Sequence, residues 1–190
     1  MHIIKRVIFI ELYRRNSVLK KYLVILGIPI ICMLGTIQHF LYRASNNNFL
    51  VGLLCPINES VWEHLKMIYF PILIYWLATF FALRNKEDID LIIYLKALTY
   101  TIIIAMLLML FLYYTYKGII GKNILIVDVI IYIVAICISQ MLGIHFINII
   151  NRDKWSYVVF ILVVFLFCFI LFQLKTPNLP FFHNTFFHLY

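Results

Sequence analysis

Residues 58–66, NESVWEHLK, place two carboxylates, an imidazole, an amine and an amide between two strongly apolar stretches. Carboxylate and imidazole groups serve as general acids and bases, and both are ligands that zinc accepts. Charged residues at the edge of a membrane span face protein or a water-filled cavity and mark function by default. The candidate binding residues are His39, Asn58, Glu59, Glu63, His64 and Lys66.

Two kinds of chemistry are open to these residues. Catalysis would use Glu59, Glu63 or His64, and a divalent metal would draw on the same three with His39. The motif HExxH is absent, and adjacent helical residues such as Glu63 and His64 point about 100° apart. The sequence therefore predicts no required cofactor and leaves a divalent metal open as the alternative.

The stretch SVWE is also a capping box, with Ser60 as the N-cap and Glu63 three residues later. A structural interpretation explains Trp62 as an aromatic residue at the membrane interface. It explains Lys66 as a side chain that reaches from the span to the membrane surface.

The structural interpretation leaves part of the motif without a role. Asn58, Glu59 and His64 exceed what capping needs, and they are the functional signal. Glu59, Glu63 and Lys66 follow the spacing i, i+4, i+7, so they share one face if the helix extends back to Asn58.

The composition defines the class of protein. The 190 residues are 65% hydrophobic and 13% charged, with a mean hydropathy of +0.99, whereas soluble domains are about 25% charged. We predict one all-α integral membrane domain over residues 1–190, with the lipid bilayer as partner. The net charge of +8 lies around apolar spans, which favours lipid headgroups and excludes nucleic acid as the partner.

Apolar runs long enough to cross a bilayer occur five times. The predicted spans are 22–42, 61–83, 91–116, 123–147 and 155–174. Residues 1–21 are basic with interleaved apolar positions, which predicts an amphipathic interfacial helix. Residues 175–190 form an aromatic tail.

The distribution of Lys and Arg predicts an N-in, C-out orientation in the cell membrane. With the N-terminus inside, eleven basic residues lie on the inner side and five on the outer side. The end of the first span, the motif and the tail then face outward. Four of the six histidines lie on that side: His39, His64, His183 and His188.

The short connection 43–57 keeps the end of the first span beside the motif. We therefore predict that His39, Glu59, Glu63 and His64 form one outward-facing cluster. Asp128, near the outer end of the fourth span, is a candidate to join it against Lys66. The alternative for Asp128 is a solvated acid at a helix start, where the helix dipole favours negative charge.

The stretch PINESVWEHLKMIYFP resembles the motif PxNESxWEHLK of a family of uncharacterised small prokaryotic membrane proteins. QHFLY is similar to that family's LHFxY-type end of the first helix, and PNLPFF is loosely similar to its proline-containing aromatic tail. The resemblance implies a polytopic membrane protein and carries no activity.

Three functions remain open at this point. The favoured one is binding or transport of a small solute, an ion or a lipid headgroup at the outer Glu/His site. The alternative is a membrane-embedded hydrolase that uses Glu and His, with or without a metal. The third is an accessory subunit that docks a membrane partner. A homo-oligomer is also compatible with the sequence.

Overall fold

The computed structural model describes residues 21–85, 89–150 and 156–182, and the regular structure in these ranges is helical, without strands. The predicted interfacial helix lies outside the described residues, apart from its last residue, Lys21. His183 and His188 of the predicted outer tail also lie outside them.

The described chain consists of six α-helices and two short turns of other helical types. A π-helical turn, Lys21–Leu26, leads into the first helix, and a 3₁₀ turn, Pro180–Phe182, follows the last one. The α-helices are α1 (Gly27–Ala44), α2 (Phe49–Leu54), α3 (Val61–Leu83), α4 (Leu91–Ile120), α5 (Leu125–Ile149) and α6 (Ser156–Leu174). The predicted spans match five of them closely, whereas the short helix α2 was not predicted.

Four stretches in the described part of the chain are long and apolar enough to cross a membrane: Tyr22–Ala44, Val61–Leu83, Leu91–Ile120 and Leu125–Ile149. The shorter α6 is apolar over Phe160–Leu174. The prediction of an all-α, multi-pass membrane bundle is confirmed.

Local sequence signals set the helix boundaries. The Asp90 carboxylate accepts hydrogen bonds from the amides of Ile92 and Ile93 and so starts α4. Gly121 ends α4 with a φ of 77°, in the left-handed region that glycine adopts without strain. Pro71 lies within α3 and does not end it.

Helix α3 is the most buried of the long helices and lies at the centre of the packing. It contacts α1 and α4, while α4 packs extensively along α5. Buried polar groups join the helices, as when Tyr69 donates to the Leu162 carbonyl at 2.8 Å and Trp76 to the Gln140 amide oxygen at 2.9 Å. Such contacts and close packing hold membrane helices together, because lipid removes the hydrophobic driving force between them.

Helices α1, α3 and α5 approach closely at one point. A Cβ atom added to Gly35 of α1 would lie 2.9 Å from the Met67 carbonyl oxygen of α3. The Tyr132 hydroxyl of α5 lies 3.4 Å from the carbonyl oxygens of both Ile31 and Met67. This contact fixes the three helices beside the candidate site.

Candidate binding site

The turn before α3 is built from the side chains of the motif. The Asn58 amide oxygen accepts from the Ser60 amide at 2.9 Å, and the Ser60 hydroxyl accepts from the Glu63 amide at 3.2 Å. Ser60 is thus the N-cap, as predicted. The reciprocal half of the predicted capping box is wrong, because Glu63 accepts instead from the Ile57 amide at 3.0 Å.

Because α3 begins at Val61, Glu59 lies before the helix. The condition for a shared helical face of Glu59, Glu63 and Lys66, a helix that extends back to Asn58, is therefore not met. The turn directs Glu59 to a different set of partners from the other two residues.

Glu59 lies between two histidines from two helices. Its Oε2 atom is 3.4 Å from Nε2 of His64 on α3 and 3.9 Å from Nε2 of His39 on α1. One potential metal-ligand atom from each residue lies within 4.8 Å of the others. The three side chains are 20–25% exposed. We call His39, Glu59 and His64 the imidazole–carboxylate cluster.

Arg43 contacts the same carboxylate from the solvent side. Its Nη2 atom donates to Oε1 of Glu59 at 3.2 Å, and its side chain is 72% exposed. An ion pair this exposed stabilises a fold by about 0–1 kcal/mol. Arg43 therefore neutralises Glu59 at Oε1, whereas the two histidines face Oε2.

The imidazole–carboxylate cluster opens onto a cavity of about 400 Å³ between α1, α3, α4 and α5. Its wall is formed by Thr36, His39, Phe40, Glu59, His64, Met67, Met109, Leu125, Asp128, Val129 and Tyr132. The cavity thus combines an apolar wall with several ionisable groups.

Asp128 is on the wall of this cavity and not against Lys66. It lies in the first turn of α5 and is half-buried, which also differs from the alternative of a solvated acid. Its Oδ1 atom accepts from the Tyr116 hydroxyl of α4. Its Oδ2 atom is buried and has no hydrogen-bond partner among the described residues, and the same holds for Nδ1 of His39.

Glu63 and Lys66 form a second, separate set of contacts. The Lys66 amine is fully buried and donates to Oε2 of Glu63 at 2.8 Å, to the Gly52 carbonyl at 3.0 Å and to the Gln173 side chain at 3.0 Å. These bonds use all three ammonium donors. The interpretation of Lys66 as a side chain reaching the membrane surface is wrong. We call Glu63, Lys66, Gly52 and Gln173 the buried lysine network.

Trp62 packs inside the protein. It is 8% exposed, and its ring lies 4.9–5.3 Å from the rings of Phe169, Phe172 and Phe182. Trp62 therefore packs against protein and does not anchor the chain by contact with lipid. Trp62 joins α3 to α6 and to the segment that follows it.

Two glutamines that support the motif were not among the predicted site residues. Gln38 of α1 donates to the carbonyls of Leu54 and Lys66. Gln173 is the partner of Lys66, and it is the one amide side chain in the otherwise apolar α6. A lone amide within an apolar helix is a signal that could have found it.

The fold and the site define a multi-pass α-helical membrane protein with a cavity, apolar apart from a few ionisable groups, at the end of its bundle where α3 begins. The chain belongs to the family described as "Family of unknown function (DUF6512)", whose model matches residues 12–190. Membership of an uncharacterised family, predicted from the motif, is thereby confirmed. No curated protein and no solved structure matches the chain.

Proposed function

We propose that this protein binds a small amphipathic solute in the cavity, with an alkyl part on the apolar wall and a hydroxyl group at the polar end. One observation carries the proposal: two residues on the wall of the cavity of about 400 Å³, His39 and Asp128, each have a buried side-chain atom with no partner in the described part of the chain. Small-molecule sites are mostly apolar cavities of about 300–1,000 Å³ with a few placed polar groups.

The apolar wall suits an alkyl chain. Met67 of α3, Met109 of α4, and Leu125 and Val129 of α5 all line the cavity. Methionine is flexible and polarisable, so it adapts to ligands of differing shape. The wall therefore favours an apolar group and accepts groups of differing shape.

The polar end supports a hydroxyl head. No described residue donates to Oδ2 of Asp128, and leaving such a group buried costs about 1–3 kcal/mol. A hydroxyl can donate to this atom while its own oxygen accepts from another group. Binding would then remove a cost that the protein alone bears.

Short-chain alcohols carrying a photoreactive diazirine test this proposal. We expect cross-links to Met67, Met109 and Val129, competed by excess 1-hexanol and weaker with the matching alkane that lacks the hydroxyl. Lipid-facing Met141 is 63% exposed and reports simple partitioning. Cross-linking of Met141 should be the same with and without excess 1-hexanol, and the same for the alcohol and the alkane.

A cavity-filling variant provides the matched control. Met109→Trp should abolish the competed cross-links, whereas Met141→Trp should preserve those at Met67 and Val129. Equal cross-linking of Met67 by the alcohol and the alkane, with no competition by 1-hexanol, would reject the proposal.

The proposal includes an outward-facing cavity in the cell membrane, supported by the excess of basic residues on the opposite side. A cysteine at Asn47, in a background without native cysteines, should react with an impermeant thiol reagent added to intact cells. One at Asn85 should not react. Labelling at Asn85 alone would reverse the orientation and place the cavity inside.

A further inference from the structure

We propose that His39, Glu59 and His64 bind one divalent transition-metal ion of the zinc type, whose open coordination position faces the cavity. The inference deepens the proposed function and rests on it for the solute, because the metal would fix the solute's hydroxyl. The metal site itself depends only on the three side chains.

The distances suit such an ion. Zinc bonds to imidazole nitrogen and carboxylate oxygen measure about 2.0–2.2 Å, so tetrahedral ligand atoms lie about 3.3–3.6 Å apart. Nε2 of His64 and Oε2 of Glu59 are 3.4 Å apart, and Nε2 of His39 is 3.9 Å from the same oxygen. One potential ligand atom from each of the three residues lies within 4.8 Å of the other two. Side-chain movements of about 1 Å would close the site.

The tautomer of His64 supplies a second, independent argument. Nδ1 of His64 lies 2.8 Å from the Ser60 carbonyl oxygen, which can only accept, so Nδ1 carries the proton. In neutral His64 the lone pair then lies on Nε2, which faces the Glu59 carboxylate. Two acceptors at 3.4 Å repel each other unless Nε2 carries a second proton or a metal ion lies between them. A backbone carbonyl that orients the imidazole in this way is typical of metal-binding histidines.

The ligand chemistry selects the class of ion. Two imidazoles and one carboxylate suit zinc and its neighbours in the first transition row. Calcium and magnesium prefer oxygen ligands alone. Arg43 donates to Oε1 of Glu59, whereas the two imidazoles face Oε2, so Arg43 and the metal would use different oxygens of one carboxylate.

Three protein ligands leave one position of a tetrahedral ion for another group. The cluster lies on the wall of the cavity, and so does Asp128, whose Oδ2 atom has no partner within residues 21–85, 89–150 and 156–182. A hydroxyl oxygen coordinated by the metal could donate its proton in a hydrogen bond to that atom. This arrangement would give Oδ2 of Asp128 a donor and would place a cation between the Glu59 carboxylate and the His64 imidazole.

Metal binding to the full chain tests the inference directly. The protein is purified in detergent with a tag that contains no histidine, treated with EDTA and titrated with Co²⁺. We expect about one Co²⁺ per chain, with the visible absorption of a tetrahedral site, and displacement of Co²⁺ by Zn²⁺.

Variants assign the ligands. His39→Ala, Glu59→Gln and His64→Ala should each weaken Co²⁺ binding by about 100-fold or more, because loss of an outer hydrogen-bond partner alone costs 10–100-fold. The quadruple variant H2A/H145A/H183A/H188A lacks every other histidine and should bind normally. Unchanged size-exclusion and melting behaviour shows that each variant folds, and Glu59→Asp should restore part of the binding.

Failure of this inference can be told from failure of the proposed function. Absence of stoichiometric Co²⁺, or loss of binding only in the quadruple variant, overturns the metal site, whereas the alcohol cross-links would stand. Met109→Trp should bind Co²⁺ as tightly as the wild type while losing the alcohol. Co²⁺ binding without any competed alcohol cross-link would retain the metal and reject the solute.

Discussion

Glu59 and Glu63 are four residues apart in one motif, yet their carboxylates lie in opposite environments. Glu63 is 3% exposed and contacts a lysine whose three donors are all used. Glu59 is partly exposed and faces two imidazoles next to a cavity with unpartnered atoms. A complete buried network stabilises the fold, whereas an accessible cluster beside a cavity can accept a ligand. Within the nine residues 58–66, the comparison distinguishes a carboxylate that stabilises the fold from one that we propose binds a ligand.

The largest expected effect is in the buried lysine network. Lys66→Met leaves the Glu63 carboxylate buried without its cation, which should lower the free energy of unfolding by about 3–5 kcal/mol. Denaturant unfolding in mixed micelles measures the loss.

The double variant Glu63→Leu/Lys66→Met is the control for charge. It should be more stable than Lys66→Met alone, because two matched apolar side chains replace a buried pair at little cost. A loss below about 1 kcal/mol for Lys66→Met would mean that the network does not support the fold.

Gly52 gives the next effect, because it lies where the network meets α2. A Cβ atom there would lie 2.8 Å from Ile57 and 2.9 Å from the Gln173 amide nitrogen. Gly52→Ala should therefore cost about 1–3 kcal/mol through overpacking. Gly118→Ala on α4 is the matched control, since nothing lies within 4 Å of its added Cβ, and it should not destabilise the protein. Equal losses for both glycines would contradict the close packing around Gly52.

Ser60 should have a smaller effect. Ser60→Ala removes the hydroxyl that accepts from the Glu63 amide and should lower the free energy of unfolding by about 1 kcal/mol. Ser60→Thr keeps the cap and should recover part of the loss. If both variants unfold alike, the hydroxyl contributes nothing to the start of α3.

The smallest stability effect is expected at Glu59. Its carboxylate pairs with the exposed Arg43, so Glu59→Gln should change the free energy of unfolding by less than about 1 kcal/mol. Co²⁺ binding should nevertheless be lost in the same variant. If Glu59→Gln destabilises the protein as much as Lys66→Met does, Glu59 is a structural residue and the comparison between the two carboxylates fails.

Local patterns predicted the part of the molecule that local physics controls. Apolar runs located the long helices, and the serine followed three residues later by glutamate located the start of α3. The short connection after α1 also suggested that His39 lies beside Glu59. Each of these inferences depends on residues that are close along the chain.

The buried lysine network could not be predicted in the same way. Lys66 donates to Gln173, which is 107 residues further along the chain. It also donates to Gly52, which lies in the short helix α2 that was not predicted. The partner of Asp128 depends likewise on how α4 returns along α5, which brings Tyr116 to it. Hydropathy identifies spans, but it does not determine which polar groups the packed spans bring into contact.

The spacing of Glu63 and Lys66 also bears on how the chain enters the membrane. A lysine at the centre of an inserted helix costs about 2.5–3.5 kcal/mol, and this is an upper bound for Lys66, which is the sixth residue of α3. Gln173 is synthesised 107 residues after Lys66, a delay of roughly 5–21 s at about 5–20 residues per second. Glu63 emerges three residues before Lys66 and belongs to the same helical turn. Glu63 therefore provides a countercharge for Lys66 while α3 inserts. Gln173 of α6 adds its hydrogen bond to Lys66 later.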